Sequence, residues 1–353
     1  MGLPSIHIAF STAAAAAIKL SEKGIVAMIL KDNKAAGGHV LTDATQIPAS
    51  LSAENKKYIE RAFAGYVNVP RKVIVFVEGS ADPDLTSGLA YMETQTFDYM
   101  VGPPDCTPEE AAAMASWIKF KRTNDFTCKA VLPNQAVDSE GIVNFTTEEI
   151  QTGKETYTAA QYCSRIAGLL AGTPMKISCT NAVLPEVTDV KRLTKSEMDA
   201  AIDAGKFLLF HDGEKVKVGR GVNSLQTTTS DKGDAFKKIK IVEAIDMMRS
   251  DIRMTMQDSY IGKYANSYDS KCLLITALQG YFAQVAANGI IKADYTVDID
   301  EAAQKTYLTS IGTDVTKLSD REIREADTGS HVFLKSTIKI LDAIEDIDLD
   351  VSM

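Results

Sequence analysis

Residues 207–266 read FLLFHDGEKVKVGRGVNSLQTTTSDKGDAFKKIKIVEAIDMMRSDIRMTMQDSYIGKYAN, and the rest of the chain is organised around this stretch. It begins with two short apolar runs, 207–210 and 216–218, which are separated by Asp212 and Gly213. An Asp-Gly pair supplies the positive φ angles of a tight turn. The stretch therefore predicts a β-hairpin at its start.

A long helix follows in the same stretch. After RGVNSL at 220–225 and a Thr-rich break, apolar residues recur with near-helical spacing at Ile241, Ile245, Met248 and Ile252. This pattern predicts an amphipathic helix that leads into YIGK at 260–263. Residues 219–221 lack both the third glycine before a helix and the Gly-Lys-Ser/Thr of phosphate-binding loops. We therefore expect no cofactor here.

Four segments resemble the C-terminal core of the contractile-tail sheath proteins of bacteriophages and of phage-tail-like R-type bacteriocins. They are RGVNSL, KKIKI at 237–241, YIGK with the nearby Asn266, and CLLITALQGYF at 272–282. The resemblance extends from LPSI at 3–6 to the last residue. Larger sheaths insert β-rich domains between early strands, whereas here Val77 leads to Phe97 through one helical segment. The chain thus resembles a minimal sheath, as in myovirus-type tails or diffocin-like bacteriocins.

Composition limits the other classes of function. With 353 residues, 45% hydrophobic and 24% charged, the chain can bury a full core and divide into two domains. A net charge of −9 and a pI near 5.1 argue against a general nucleic-acid-binding surface. No apolar run approaches the roughly 18 residues that span a bilayer, and no secretory signal precedes the first strand. We expect no membrane insertion and a protein that stays in the cytoplasm of the bacterial host where it is made.

The cysteines predict neither disulfides nor a zinc site. They are odd in number, widely scattered and without a CxxC pair. Buried, reduced thiols are the favoured interpretation. The five positions are Cys106, Cys128, Cys163, Cys179 and Cys272.

Strands and helices alternate after Gly24, and this order predicts an α/β fold with a mostly parallel sheet flanked by helices. Thr107-Pro108-Glu109-Glu110 is a typical helix start, with a capping side chain, an early proline and acids at the positive dipole end. The predicted strands are 25–30, 73–77, 97–101, 129–132 and 142–145, and the helices are 53–64, 108–122, 158–171 and 196–204. We assign 25–230 to this α/β domain and 231–343 to an α+β C-terminal domain.

Both ends of the chain carry strand patterns. Residues 1–24 form an N-terminal arm and linker, in which Ile6, Ile8 and Phe10 alternate with smaller or polar residues. From the residues alone this segment is either a frayed start or a strand that pairs elsewhere. Residues 344–353 form a C-terminal arm, in which Ile347, Leu349 and Val351 alternate with polar residues. This strand either forms a hairpin with 332–341 or joins another sheet edge, since a lone hairpin is marginal and leaves open edges.

The resemblance implies how the arms act. In sheath proteins the terminal arms of adjacent subunits complete one another's sheets and form a helical polymer around an inner tail tube. The implied partners are further copies of this chain, the tube protein, and the baseplate and tail terminator proteins. On triggering, the sleeve contracts and drives the tube through a bacterial envelope, with the energy stored in lattice contacts. The resemblance implies a location in the tail of a virion or phage-tail-like particle, assembled in the host cytoplasm.

A group of basic side chains is a candidate contact surface. We hypothesise that some of them face an acidic partner, either the inner tube or a neighbour's acidic arm, although most such charges are simply solvated. The candidates are Lys237, Lys238, Arg249, Arg321 and Arg324.

The alternative is a soluble α/β enzyme of unknown activity, and the sequence gives it little support. Ser224 lacks the flanking glycines of a nucleophile elbow. His39 follows two glycines in a predicted loop, and the other histidines are His7, His211 and His331, none with a predicted catalytic neighbour. The loop 138–141 could hold a cation, but such loops are more often turns. We therefore expect no catalytic or metal-binding residues.

Overall fold

The computed structural model describes residues 17–21, 23–79 and 84–352. These residues form two compact units. The α/β unit contains residues 23–79, 84–247 and 342–352, and the C-terminal unit contains residues 17–21 and 248–341. The boundary between residues 247 and 248 lies inside the long helix α6 (Ile239–Ser259).

The α/β unit contains the first eleven strands and the first five helices of the described chain. The strands are β1 (Ile25–Lys31), β2 (Gly37–Leu41), β3 (Lys72–Glu78), β4 (Tyr99–Val101), β5 (Lys129–Pro133), β6 (Ile142–Phe145), β7 (Ile150–Thr152), β8 (Glu155–Tyr157), β9 (Lys206–Phe207), β10 (Leu209–His211) and β11 (Val216–Val218). The helices are α1 (Ala53–Phe63), α2 (Thr86–Glu93), α3 (Pro108–Thr123), α4 (Ala159–Ala171) and α5 (Lys195–Asp203).

A seven-stranded sheet in the order β2-β3-β1-β4-β5-β6-β9 forms the centre of the α/β unit. Every pairing in it is parallel except that of β2 with β3. Side chains of β1 alternate between two cores: Met28 packs with residues of α1 and α4, and Ile29 with residues of α2 and α3. The predicted mostly parallel sheet flanked by helices is confirmed.

The prediction that His39 lies in a loop was wrong, because the structure places it in β2. Two consecutive glycines, Gly37 and Gly38, are typical of loops. Gly38 instead lies against a neighbouring side chain, and a Cβ atom there would be 2.4 Å from the Tyr91 ring. Glycine inside a strand often marks such a close approach. His39 Nε2 lies 2.7 Å from the carbonyl oxygen of Ala35, a local contact.

The predicted hairpin is present, but the first apolar run contributes to two sheets. Lys206–Phe207 joins the central sheet as β9, and Leu209–His211 pairs antiparallel with Val216–Val218. The turn uses Gly213 at φ 111°, a value that favours glycine. Asp212 Oδ1 accepts hydrogen bonds from the backbone amides of Glu214 and Lys215, as Asp often does in turns.

The C-terminal unit contains the second half of α6 and a small sheet packed on helices. Its other elements are α7 (Tyr268–Ala287), β12 (Thr296–Ile299), α8 (Glu301–Ser310), α9 (Asp320–Glu325) and β13 (Leu334–Thr337). Strands β12 and β13 are antiparallel, and Val297 and Ile299 of β12 are buried. The side-chain amide of Asn266 donates to the carbonyl oxygens of Gly329 and His331, which fixes the loop after YIGK against the segment before β13.

Helices α1 and α4 cross so closely that glycine is required at the contact. A Cβ atom at Gly168 would lie 2.0 Å from the backbone oxygen of Ala62. We predict that Gly168→Ala lowers the free energy of unfolding by about 3 kcal/mol, because the helices must separate. Urea unfolding followed by circular dichroism measures the loss.

The matched control is Gly280→Ala in α7, where no atom lies within 4 Å of the added methyl group. Alanine is the better helix former, so this variant should be stabilised by up to about 1 kcal/mol. Equal effects of the two substitutions would contradict the close packing of α1 on α4.

Candidate assembly surfaces

The C-terminal arm exposes its apolar side chains. Ile347, Leu349 and Val351 are 80%, 81% and 69% exposed, and residues 344–352 form no regular strand. Because such side chains are normally buried, a run of them along one side of a segment indicates a surface for a partner. The N-terminal arm residues Ile6, Ile8 and Phe10 lie outside the described residues.

The sheet of β12 and β13 has room for further strands. Among the described residues it contains these two strands only. Three of the four residues of β13 are exposed, whereas β12 faces the core through Val297 and Ile299. An exposed edge strand presents unpaired N–H and C=O groups that can pair with an added strand.

The predicted basic residues have different environments. Lys237 pairs with Asp234 three residues earlier, Arg321 pairs with Glu325 on the same face of α9, and Arg249 is exposed on α6. Arg324 binds Asp298 and Glu301, so it ties α9 to β12 and α8. Lys238 contacts Asp342, which lies just before the C-terminal arm, and Glu345, the second residue of the arm.

Two buried acids in the first half of α6 fix this part of the helix to the central sheet. Asp246 accepts hydrogen bonds from Arg122 of α3 at 2.8 Å and from Lys129 of β5 at 3.1 Å. Burial lowers the pKa of Arg122, but the neighbouring carboxylate of Asp246 outweighs this and raises it. A buried ion pair with several hydrogen bonds costs much to break, since one charge would be left without a partner.

The second buried acid, Glu243, accepts hydrogen bonds from Lys23 at 2.6 Å and from the Tyr99 hydroxyl at 2.5 Å. Burial and the carboxylate together raise the pKa of Tyr99 well above its usual range. The sequence analysis missed both acids. The sequence does contain a signal for them. Glu243 and Asp246 are spaced three residues apart, which places two acids on one face of the helix among apolar residues.

The polar side chains of RGVNSL hold neighbouring loops together. Asn223 donates to the backbone oxygen of Phe236 at 2.7 Å, and Ser224 Oγ donates to the backbone oxygen of Ser139 at 3.0 Å. Asp138 Oδ1 accepts two backbone amides just after this segment. The loop 138–141 is therefore a hydrogen-bonded turn, and Ser224 is buried against it.

Three of the five thiols, Cys128, Cys163 and Cys179, are buried as predicted, whereas Cys106 and Cys272 are only partly buried. Burial raises the pKa of Cys106 to about 12 and that of Cys128 to about 11. Burial also raises the pKa of the Cys163 and Cys179 thiols. All four therefore stay protonated near neutral pH, where the thiolate is the reactive form.

Across residues 17–21, 23–79 and 84–352 there is no group of three or more His, Cys, Asp or Glu side chains that could hold a metal ion. None of the helices in these ranges combines the length and apolar character needed to cross a bilayer.

A cleft of about 390 Å³ lies beside β6 and β9, lined by Asn134, Asn144, Glu148 and Lys206 among others.

Protein-family models and known proteins match this chain over most or all of its length. The model of the phage tail sheath protein central domain matches residues 78–224, and that of the phage tail sheath C-terminal domain matches residues 231–353. The tail sheath protein of Clostridium phage phiCD119 is 39% identical over 360 residues, which covers 100% of this chain and 99% of that protein. Protein XkdK of the phage-like element PBSX of Bacillus subtilis is 31% identical over 173 residues, covering 48% of this chain and 37% of that protein.

Solved structures share the fold at low sequence identity. The helical sheath of the anti-feeding prophage in its contracted state matches with a TM-score of 0.73 at 14% identity, over 100% of this chain and 99% of that chain. The sheath tail protein of Desulfitobacterium hafniense matches with a TM-score of 0.70 at 18% identity, over 84% of this chain and 94% of that chain.

Proposed function

This chain belongs to the phage tail sheath protein family, and we propose on that basis that it is a structural subunit of a contractile tail. Its copies polymerise around an inner tail tube, and the sleeve contracts to drive the tube through a bacterial envelope. The site of action is the tail of a phage or phage-like particle. Contraction needs compact bodies joined by connections that survive rearrangement. The two compact units and the terminal arms suit these two roles.

The observation that carries the proposal is the exposed apolar side of the C-terminal arm, in a chain related over its full length to a tail sheath protein. Residues 347–351 alternate apolar and acidic side chains, which is the pattern of a strand with one side buried in a sheet. Addition to the edge of a neighbour's sheet would bury that side and pair the backbone groups of the arm.

We infer that the receiving sheet is the β12–β13 pair of an adjacent copy. Its exposed strand β13 supports this choice. In the same proposal, the N-terminal arm with Ile6, Ile8 and Phe10 adds a further strand from another copy. The inner tube protein is the second partner. The baseplate and tail terminator proteins lie at the two ends of the sleeve.

The proposal extends to the basic side chains outside the arm contacts. Lys237, Arg249 and Arg321 would face an acidic surface, either on the tube or on a neighbouring subunit. Arg324 would contribute indirectly, because it already binds Asp298 and Glu301. Attraction between such exposed charges weakens as salt is added.

The arm prediction compares three forms of the full-length chain by negative-stain electron microscopy. The unchanged protein should form long hollow sleeves. A triple variant, Ile347→Asp, Leu349→Asp and Val351→Asp, should give only single subunits or small oligomers, because its strand no longer has an apolar side to bury.

The matched control changes the opposite side of the same strand through Asp348→Asn, Asp350→Asn and Ser352→Ala, and it should still form sleeves. If the apolar-to-acid variant formed sleeves, it would contradict the proposal that the C-terminal arm adds a strand to a neighbour's sheet. If all three forms gave the same small closed oligomer, the sheath function itself would fail and the soluble-enzyme alternative would return.

A second prediction concerns charge. Lys237→Glu combined with Arg321→Glu should lower the yield of sleeves at low salt and have a smaller effect at about 0.5 M salt, where exposed charges are screened. The control is Lys195→Glu, which reverses the charge of an exposed lysine that pairs with Asp199 on α5. Sedimentation of polymer over a salt series measures the yield. An unchanged yield at low salt would remove the charged-surface proposal.

A further inference from the structure

Glu345 is a buried carboxylate within an exposed tail. Its side chain is 6% exposed, whereas Asp346 next to it is 81% exposed. The neighbouring Ile344 is 86% exposed. This reverses the usual preference, in which isoleucine is buried and a carboxylate remains in water. Burial of a charge is costly unless other groups compensate it, so Glu345 must have specific partners.

Those partners form a socket that consists of Ser178, Thr180, Arg220 and Lys238. The Oε1 atom of Glu345 accepts hydrogen bonds from Ser178 Oγ at 3.2 Å and from Thr180 Oγ1 at 2.6 Å. The Oε2 atom lies 3.6 Å from Arg220 Nε and 3.5 Å from Lys238 Nζ. Two hydroxyl donors and two cations thus surround one carboxylate, and hydrogen bonds to a charged group are the stronger kind.

The two acids that flank Glu345 bind the same cations. Asp346 Oδ1 accepts a hydrogen bond from Arg220 Nη2 at 2.5 Å, and Asp342 pairs with Lys238. Burial lowers the pKa of Lys238, but hydrogen bonding to Asp342 and the charge of Glu345 outweigh this and raise it. All three acids of residues 342–346, which we call the arm root, therefore contact the α/β unit.

Contacts that do not involve the arm root build the socket. Ser178 Oγ lies 2.9 Å from Thr180 Oγ1, and the amide of Gly221 donates to Thr180 Oγ1 at 3.0 Å. Gly221 permits this approach, since a Cβ atom there would lie 2.9 Å from Cys179 Sγ. An isolated bridge between Val222 and Lys238 places the lysine beside the same loop. A preformed site loses little entropy when it binds.

We propose that the arm root is an electrostatic anchor, in which the Glu345 socket fastens the base of the C-terminal arm to the α/β unit of its own subunit. Only the residues from Ile347 onward are then free to join a second copy. The division into units agrees with the proposal, because residues 248–341 belong to the C-terminal unit and the chain returns to the α/β unit from Asp342 onward. Tension that a second copy exerts on the free arm is then transmitted to the α/β unit through Glu345. The role in assembly rests on the proposed function, whereas the anchor itself exists in a single subunit.

Carboxypeptidase Y digestion of the unassembled full-length chain tests the anchor. The chain is isolated by size-exclusion chromatography, and intact-mass spectrometry follows the loss of residues from the C-terminus. Digestion of the unchanged protein should pause once the residues after the arm root are removed. In Arg220→Gln combined with Lys238→Gln, removal of Asp346 and Glu345 should be at least about tenfold faster, since all four ion pairs between these cations and the arm root are lost.

The C-terminal sequence is identical in these proteins, so the preference of carboxypeptidase Y for particular residues affects them equally. Lys195→Gln combined with Arg192→Gln removes the same charge from pairs that do not touch the arm, and it should digest like the unchanged protein. Unchanged circular dichroism melting of each variant checks the fold.

Equal digestion through Glu345 in the unchanged protein and the socket variant would overturn the proposal. A pause that appears only as the protein concentration rises would overturn it as well, because the socket would then be filled by a second copy. Both results are independent of whether sleeves form, so they distinguish failure of the anchor from failure of the sheath function.

Discussion

The C-terminal arm carries apolar side chains that stay in water within one described subunit, and the proposed assembly depends on this feature. Burial of Ile347, Leu349 and Val351 would each contribute about 2 kcal/mol, and each paired backbone group about 1 kcal/mol more. Fixing the backbone of each arm residue costs about 1–2 kcal/mol. For one arm, the favourable free energy of burial and pairing and the entropy cost of ordering the backbone nearly cancel. A stable sleeve therefore requires many arms bound at once, since linked contacts reinforce one another without any new interaction.

A sleeve linked in this way needs subunits that do not deform under load. In the α/β unit, Glu243 and Asp246 bind Lys23, Tyr99, Arg122 and Lys129, which hold the first half of α6 on the sheet. The close contact of Gly168 with α1 fixes a second helix in the same unit. The arm root attaches to this rigid unit through Glu345. The residues after the arm root thus start from a fixed attachment point, and their apolar side chains are exposed.

Periodicity predicted the parts of the fold that depend on local sequence. Apolar runs and helix caps gave the central strands and helices, and Asp212-Gly213 gave the hairpin. The edge strand β2 was missed because its two glycines resemble a loop, and only the Tyr91 ring explains Gly38. Glu345 could not be separated from Asp348 and Asp350 by sequence, since all three are acids in one alternating tail. Its burial depends on Ser178, Thr180 and Arg220, which are distant in the chain and are brought together by tertiary structure.

The most direct test of the central claim is a cryo-EM reconstruction of the assembled sleeve at a resolution that traces each chain. The account predicts that residues after 346 of one copy form a strand paired with the β12–β13 sheet of the next copy, with Ile347, Leu349 and Val351 directed into its core. A sleeve in which each arm folds back on its own subunit, or extends into solvent, would contradict exchange of strands as the link between copies.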